Sequence, residues 1–250
     1  MNKRLKKLIK FERGMPSSER ELATVSIEEA FDFYPAELLD FVEKEKMVIY
    51  VGEDAPIQMK LYCIMLAATL KKNTFEYKKL LVKKQLSSLD DVDGCFVMGR
   101  FNFHTPWRIR KEKKAAFVFI RPQSNPAGYK ELLSHEIGHL YDYYLHKEYP
   151  LIKSNRDYCS AGLLKHSETW HELYHGELTD IICNNYADTT AAVEYFTSSA
   201  EEMTATLFSI LYLHENQLME LEEREVQLLN RFRTFFFSTL RKPNADISLL

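Results

Sequence analysis

Two stretches of the chain carry residue types and spacing suited to a catalytic metal. Residues 134–139 read Ser-His-Glu-Ile-Gly-His, and 36 positions after His135 the chain reads His-Glu-Leu-Tyr-His, from His171 to His175. Both fit His-Glu-x-x-His, the helical pattern that holds zinc in hydrolases. A helix turns about 100° per residue, so two positions four apart differ by only ~40° and sit one turn apart. His135 and His139 can then face one ion, with Glu136 beside them to take a proton from water that the zinc polarises. His171 and His175 satisfy the same geometry, so spacing does not separate the motifs.

Context does. The first motif lies inside "YKELLSHEIGHLYDYYLHKEY", with apolar or aromatic residues at 129, 132, 133, 137, 140, 141 and 144, a helical spacing. Gly138 removes a side chain next to the second histidine, where substrate or neighbouring backbone can approach closely. The second motif follows a candidate cap at Ser167 and runs at once into Gly176, so it predicts a short helix packed on Trp170, Leu173 and Tyr174. The zinc site is therefore expected at His135 and His139, and the second motif is read as packing and cap chemistry.

A catalytic zinc takes a third protein ligand and keeps a fourth position open. Candidates sit in "EYFTSSAEEMTATLFSILYL". Ser198 with Glu201 and Ser199 with Glu202 are alternative capping boxes. If Ser198 caps the helix, Glu201 is its partner and Glu202 is left for the metal; the reverse assignment stays open on these residues alone.

The elements that must position this chemistry follow from pattern. Residues 27–45 read as helix broken at Pro35, and 46–52 as a strand. Helices are expected within 56–72 and 75–85, then strands at 94–99 and 115–122. The connection between those strands carries Trp107 and the basic residues Arg108, Arg110, Lys111, Lys113 and Lys114. Beyond residue 126 the chain reads as mostly helical, with loops near 150–160 and 184–197. Strands first and helices later predict an α+β fold with a small mixed or antiparallel sheet.

Composition narrows the class. Of 250 residues, 46% are hydrophobic and 28% charged, as in ordinary globular proteins, and the net charge of −3 gives no reason to expect nucleic acid as a partner. The longest apolar runs are too short to span a bilayer, so no transmembrane segment is expected. The basic start lacks the apolar run of a Sec signal, and Cys63, Cys95, Cys159 and Cys183 are far apart without a C-x-x-C. A reducing, cytoplasmic location follows, with an effector exported by dedicated machinery as the alternative. Residues 1–45 are expected to form a helical extension with a solvated basic start, and 46–250 the main domain.

"HEIGHLYDYY" followed by "YFTSSAEEMTATLF" resembles the catalytic domain of anthrax lethal factor and the related Pro-Pro endopeptidases, zinc metallopeptidases of the zincin fold. The resemblance covers roughly Phe117 to Tyr212. It implies His135 and His139 as ligands, Glu136 as general base and Glu202 as third ligand, since Ala205 and Phe208 then match the family's Ala and Phe. Tyr195 matches the tyrosine that stabilises charge as it develops, and Asp142 the aspartate that orients a ligand. It also implies an edge strand along which an extended peptide pairs, here 115–121, with Phe117, Val118 and Phe119 as substrate-contacting residues. Two departures stand out: the family's second glutamate is Thr206, and its aromatic pair is Met203-Thr204.

The expected function is hydrolysis of a peptide bond in an extended segment. One rival is a zinc-stabilised binding protein without catalysis. Another is a regulatory peptidase of the repressor-cleaving kind, which places its third ligand closer than the 63 positions between His139 and Glu202.

Overall fold

A computed structural model describes residues 3–54, 93–104, 110–123, 125–148, 176–186 and 189–238, and these fall into two compact units that divide between Glu136 and Ile137. The first unit holds α1 (Lys3–Leu8), β1 (Ile9–Phe11), α2 (Ser17–Phe33), α3 (Ala36–Lys44), β2 (Val48–Val51), β3 (Gly94–His104), β4 (Arg110–Ile120) and the start of α4 (Pro126–Glu148). Its sheet runs β1-β2-β4-β3, parallel except for the antiparallel β3/β4 pair. The class is therefore α+β with a mixed sheet.

Local chemistry sets the element ends. Tyr34 is extended (φ −94°, ψ 160°) and terminates α2, because a residue before proline is pushed out of the helical region; Pro35 then opens α3. Past the end of α3, Lys46 adopts φ 53°, and Met47 N–H donates to Val42 O at 3.1 Å, a Schellman closure without glycine. The break at Pro35 was legible; the helix before it begins ten residues earlier than expected, at Ser17.

Three expectations are corrected here. Residues 1–45 are not an appended extension: β1 lies in the sheet, paired with β2, and Leu5, Ile27, Leu38 and Val42 are buried in the same core as Ile49 and Val118. The basic residues of the start, Lys3, Arg4, Lys6 and Lys7, are exposed, as expected, and Arg4 donates to Asp40 and Glu43. The segment 115–121 is not an edge where substrate contacts were expected: over residues 117–120 β4 is flanked by β2 and β3, and Phe117, Val118 and Phe119 are all buried. An unbroken apolar run is what a strand covered on both faces requires, so "AAFVFI" was itself a sign of an interior strand. Finally, part of the expected basic loop is strand, since pairing continues to His104↔Arg110. Trp107 and Arg108 lie outside the described residues, as do the helices expected within 56–72 and 75–85 and the whole His171–His175 motif.

The second unit continues α4 and adds helical residues 176–185 (α5), α6 (Thr190–Phe196), α7 (Ala200–Glu215) and α8 (Glu223–Ser238). The loop expected near 184–197 is thus interrupted by α6, capped by Thr189, whose hydroxyl accepts from Ala192 N–H. Aromatic rings fill this core: Phe208 meets Tyr141, Phe232 and Phe236 edge-on at centroid distances of 5.4, 4.8 and 5.2 Å. Glu225 is buried yet satisfied, accepting from Asn185 at 2.8 Å and from Glu222 N–H at 3.0 Å, and so ties α5 to the start of α8.

Candidate metal centre

Helix α4 carries the first motif, and its burial is unusual for what it contains. From Leu133 to Leu145 nearly every residue is buried, including Ser134, His135, Glu136 and Asp142. Polar groups are costly to bury, and chemistry is a common reason for a cluster of ionisable ones on one helix. His135 and Glu136 are each 5% exposed and Asp142 2%, so Asp142 is not the solvated helix residue its type would suggest.

The helix is held at the motif from within each unit. In the first, the Tyr34 hydroxyl donates to Ser134 O at 3.1 Å, one residue before His135. In the second, α7 crosses α4 at Gly138. A Cβ there would lie 3.0 Å from Ala205 Cα and 3.2 Å from Ala205 O, so an added methyl would press the α7 backbone back by a few tenths of an ångström. The close approach expected from the glycine is made by Ala205.

That crossing brings Glu202, one turn before Ala205, to His139: Glu202 Oε2 lies 3.5 Å from His139 Nε2. The cap argument that favoured Glu202 used the wrong serine. Ser199 is the N-cap, and its hydroxyl accepts from the Glu202 backbone N–H at 3.2 Å. Glu202 thus feeds the cap through its backbone while its carboxylate lies at the histidine, and the first turn of α7 does both jobs with one residue. Thr206, the departure from the resembled pattern, is fully buried and donates to Glu202 O at 2.8 Å, so its hydroxyl is spent inside the helix.

His135, one helical turn before His139, completes a group of three. One ligand atom each from His135, His139 and Glu202 lies within 4.8 Å of the others. The donor set fits zinc. Two ligands at ~2.0–2.1 Å in a tetrahedral arrangement are about 3.3 Å apart, close to the His139–Glu202 separation. Nitrogen and carboxylate oxygen are both ordinary zinc donors. Among the described residues the group has three members and not four, and the His139 and Glu202 side chains keep 12% and 24% exposure. A closed structural site would have four protein ligands and no opening.

Tyr195 sits on the last turn of α6, four residues before the Ser199 cap, 54% exposed and with its ring edge-on to Phe196 at 5.2 Å. It is not a core aromatic. Glu201 is not in the ligand group.

One residue of the site had no signal in the sequence. Gly94, the first residue of β3, lies against Glu136: a Cβ at position 94 would fall 2.5 Å from Glu136 Oε1 and 2.7 Å from Leu132 Cδ1. A lone glycine at a strand start reads as a turn residue, so nothing marked it.

Compared with family models, curated proteins and solved structures, the chain matches none of them.

Proposed function

We propose that this chain is a zinc-dependent endopeptidase of zincin-like fold that hydrolyses a peptide bond in an extended segment. The observation that carries the reading is the three-donor group of His135, His139 and Glu202, partly open to solvent, with buried Glu136 next in sequence to the first ligand. Zinc held there would polarise the scissile carbonyl and lower the pKa of water. Glu136 accepts the proton of the attacking water and passes it to the nitrogen of the breaking amide bond. Asp142, buried seven residues beyond His135 on the same helix, keeps a ligand oriented. Tyr195, exposed, donates to the oxygen on which negative charge develops.

With β4 interior, the substrate strand is reassigned. Among the described strands β3 has an open side, and it starts at Glu136, so an extended peptide adds to β3 through main-chain hydrogen bonds. No helix among the described residues is long and apolar enough to cross a membrane, and Cys183 is an exposed thiol. The thiol fits work in a reducing compartment, in the producing cell or after delivery to another.

A second reading, a zinc-stabilised binding protein, is favoured by one fact: Thr206 stands where the resembled family has a carboxylate, and its hydroxyl is engaged with Glu202 O. Zinc content per chain separates the possibilities at the first step. The expected result is about one zinc for the wild type and for His175→Ala, and loss in His139→Ala. Loss in His175→Ala alone moves the site to the second motif. Digestion of a mixed peptide library by the zinc-loaded wild type then decides between peptidase and binding protein.

A further inference from the structure

We propose that Gly94 is a positioning residue for Glu136: the missing side chain at the first residue of β3 is the space in which the Glu136 carboxylate lies. Its role as a positioner of the general base rests on the peptidase reading; the steric relation does not.

Three observations support it. First, Gly94 does not have a left-handed backbone; among the described glycines only Gly14 does, with φ 96°. Any residue could adopt the Gly94 conformation, and glycine in a strand is otherwise unfavourable. The reason for glycine must be room. Second, the atoms that a Cβ would meet are Glu136 Oε1 at 2.5 Å, Leu132 Cδ1 at 2.7 Å and Glu136 Cγ at 2.9 Å, so the Glu136 side chain occupies that room. Third, the strand cannot retreat. Gly94 pairs with the fully buried Ile120, and directly outside that pair Arg121 N–H donates to Asp93 O at 2.6 Å, reinforced by Arg121 Nη1 to Asp93 Oδ1 at 3.3 Å. A methyl group at position 94 therefore meets a fixed backbone on one side and the movable end of a glutamate on the other. The glutamate moves.

This predicts an uncommon phenotype for Gly94→Ala. His135, His139 and Glu202 are untouched, so zinc content stays at the wild-type value. The carboxylate is turned away from its place, so kcat on a peptide-library substrate falls about tenfold or more with KM unchanged. The steric relation is read separately, in metal-free protein, by a double-mutant cycle of melting temperatures. In the Glu136→Ala background the Glu136 part of the clash is gone and only the contact with Leu132 Cδ1 remains, so the melting-temperature change on Gly94→Ala is more favourable by about 2–4 °C than in the wild type. Additive melting temperatures would overturn the clearance. Wild-type kcat in Gly94→Ala would overturn the positioning role. Thermal coupling in a zinc-loaded protein that cleaves no peptide would overturn the peptidase reading and leave the Gly94–Glu136 relation standing.

Discussion

At the scale of the residue, the centre depends on the separation of two jobs on adjacent positions of one helix. His135 and His139 repeat every turn and can share an ion; Glu136 is rotated off that line and in the proposed mechanism serves as the base. Changing Glu136 to Gln keeps the shape and removes the basicity. The expected outcome is unchanged zinc content with hydrolysis reduced by about 10²–10⁴-fold, measured as kcat on the peptide library. Retained activity in that variant would sink the mechanism. Glu202 shows how a first-turn residue can serve twice. Its N–H is one of the donors a helix start leaves unpaired and is taken by Ser199, which frees the side chain for His139.

At the scale of the element, the decisive contact is the crossing of α4 and α7 at Gly138 and Ala205. Two small residues let the backbones approach, and that approach sets the reach of Glu202 to His139. Gly138→Ala tests it with opposing effects of known size. Helix propensity favours alanine by about 1 kcal/mol. Overpacking against a backbone that cannot rotate away costs about 1–3 kcal/mol. The clash is with Ala205 Cα and O, not with a flexible tip, so the second effect wins. The variant should melt lower than the wild type and bind zinc about 10–100-fold more weakly, as seen in competition with a chelator. Gly138→Ala and Gly94→Ala thus differ in signature: one weakens the metal site, the other leaves it intact and moves the base.

At the scale of the whole molecule, stability at high pH follows from a buried phenol. Tyr129 is 1% exposed, and burial, opposed in part by a backbone hydrogen bond from the Gln123 region, pushes its pKa above the ordinary value. A raised folded-state pKa means the contribution is whole below the unfolded value of about 10 and is lost as pH climbs through the folded one. Tyr129→Phe removes that linkage. The melting temperature of the wild type should therefore fall more steeply above about pH 10 than that of Tyr129→Phe, in parallel pH series. At the other end of the scale Arg4 holds the Glu43 carboxyl below its usual range by a hydrogen bond, but the pair is exposed and screened, so little pH dependence is expected from it.

How much of this was legible depends on whether the cause is local. The motif helix, the break at Pro35, the confinement of the strands to the first half of the chain and the pair His135–His139 were all readable, because periodicity, proline sterics and one-turn spacing act between neighbours in sequence. Glu202 was reachable as one of two candidates, since a capping box is also local, though the serine chosen for it was the wrong one. What the tertiary structure alone decided involves partners far apart in the chain. β4 sits between β2 and β3, residues 1–45 join the sheet, Ala205 meets Gly138, and Gly94 makes room for Glu136. The polar run 110–114 carries no apolar period, yet it pairs as strand because a hairpin ladder is made by backbone groups that every residue type supplies. A glycine that turns the chain and a glycine that makes space look identical in a sequence; only the neighbour that fills the space tells them apart.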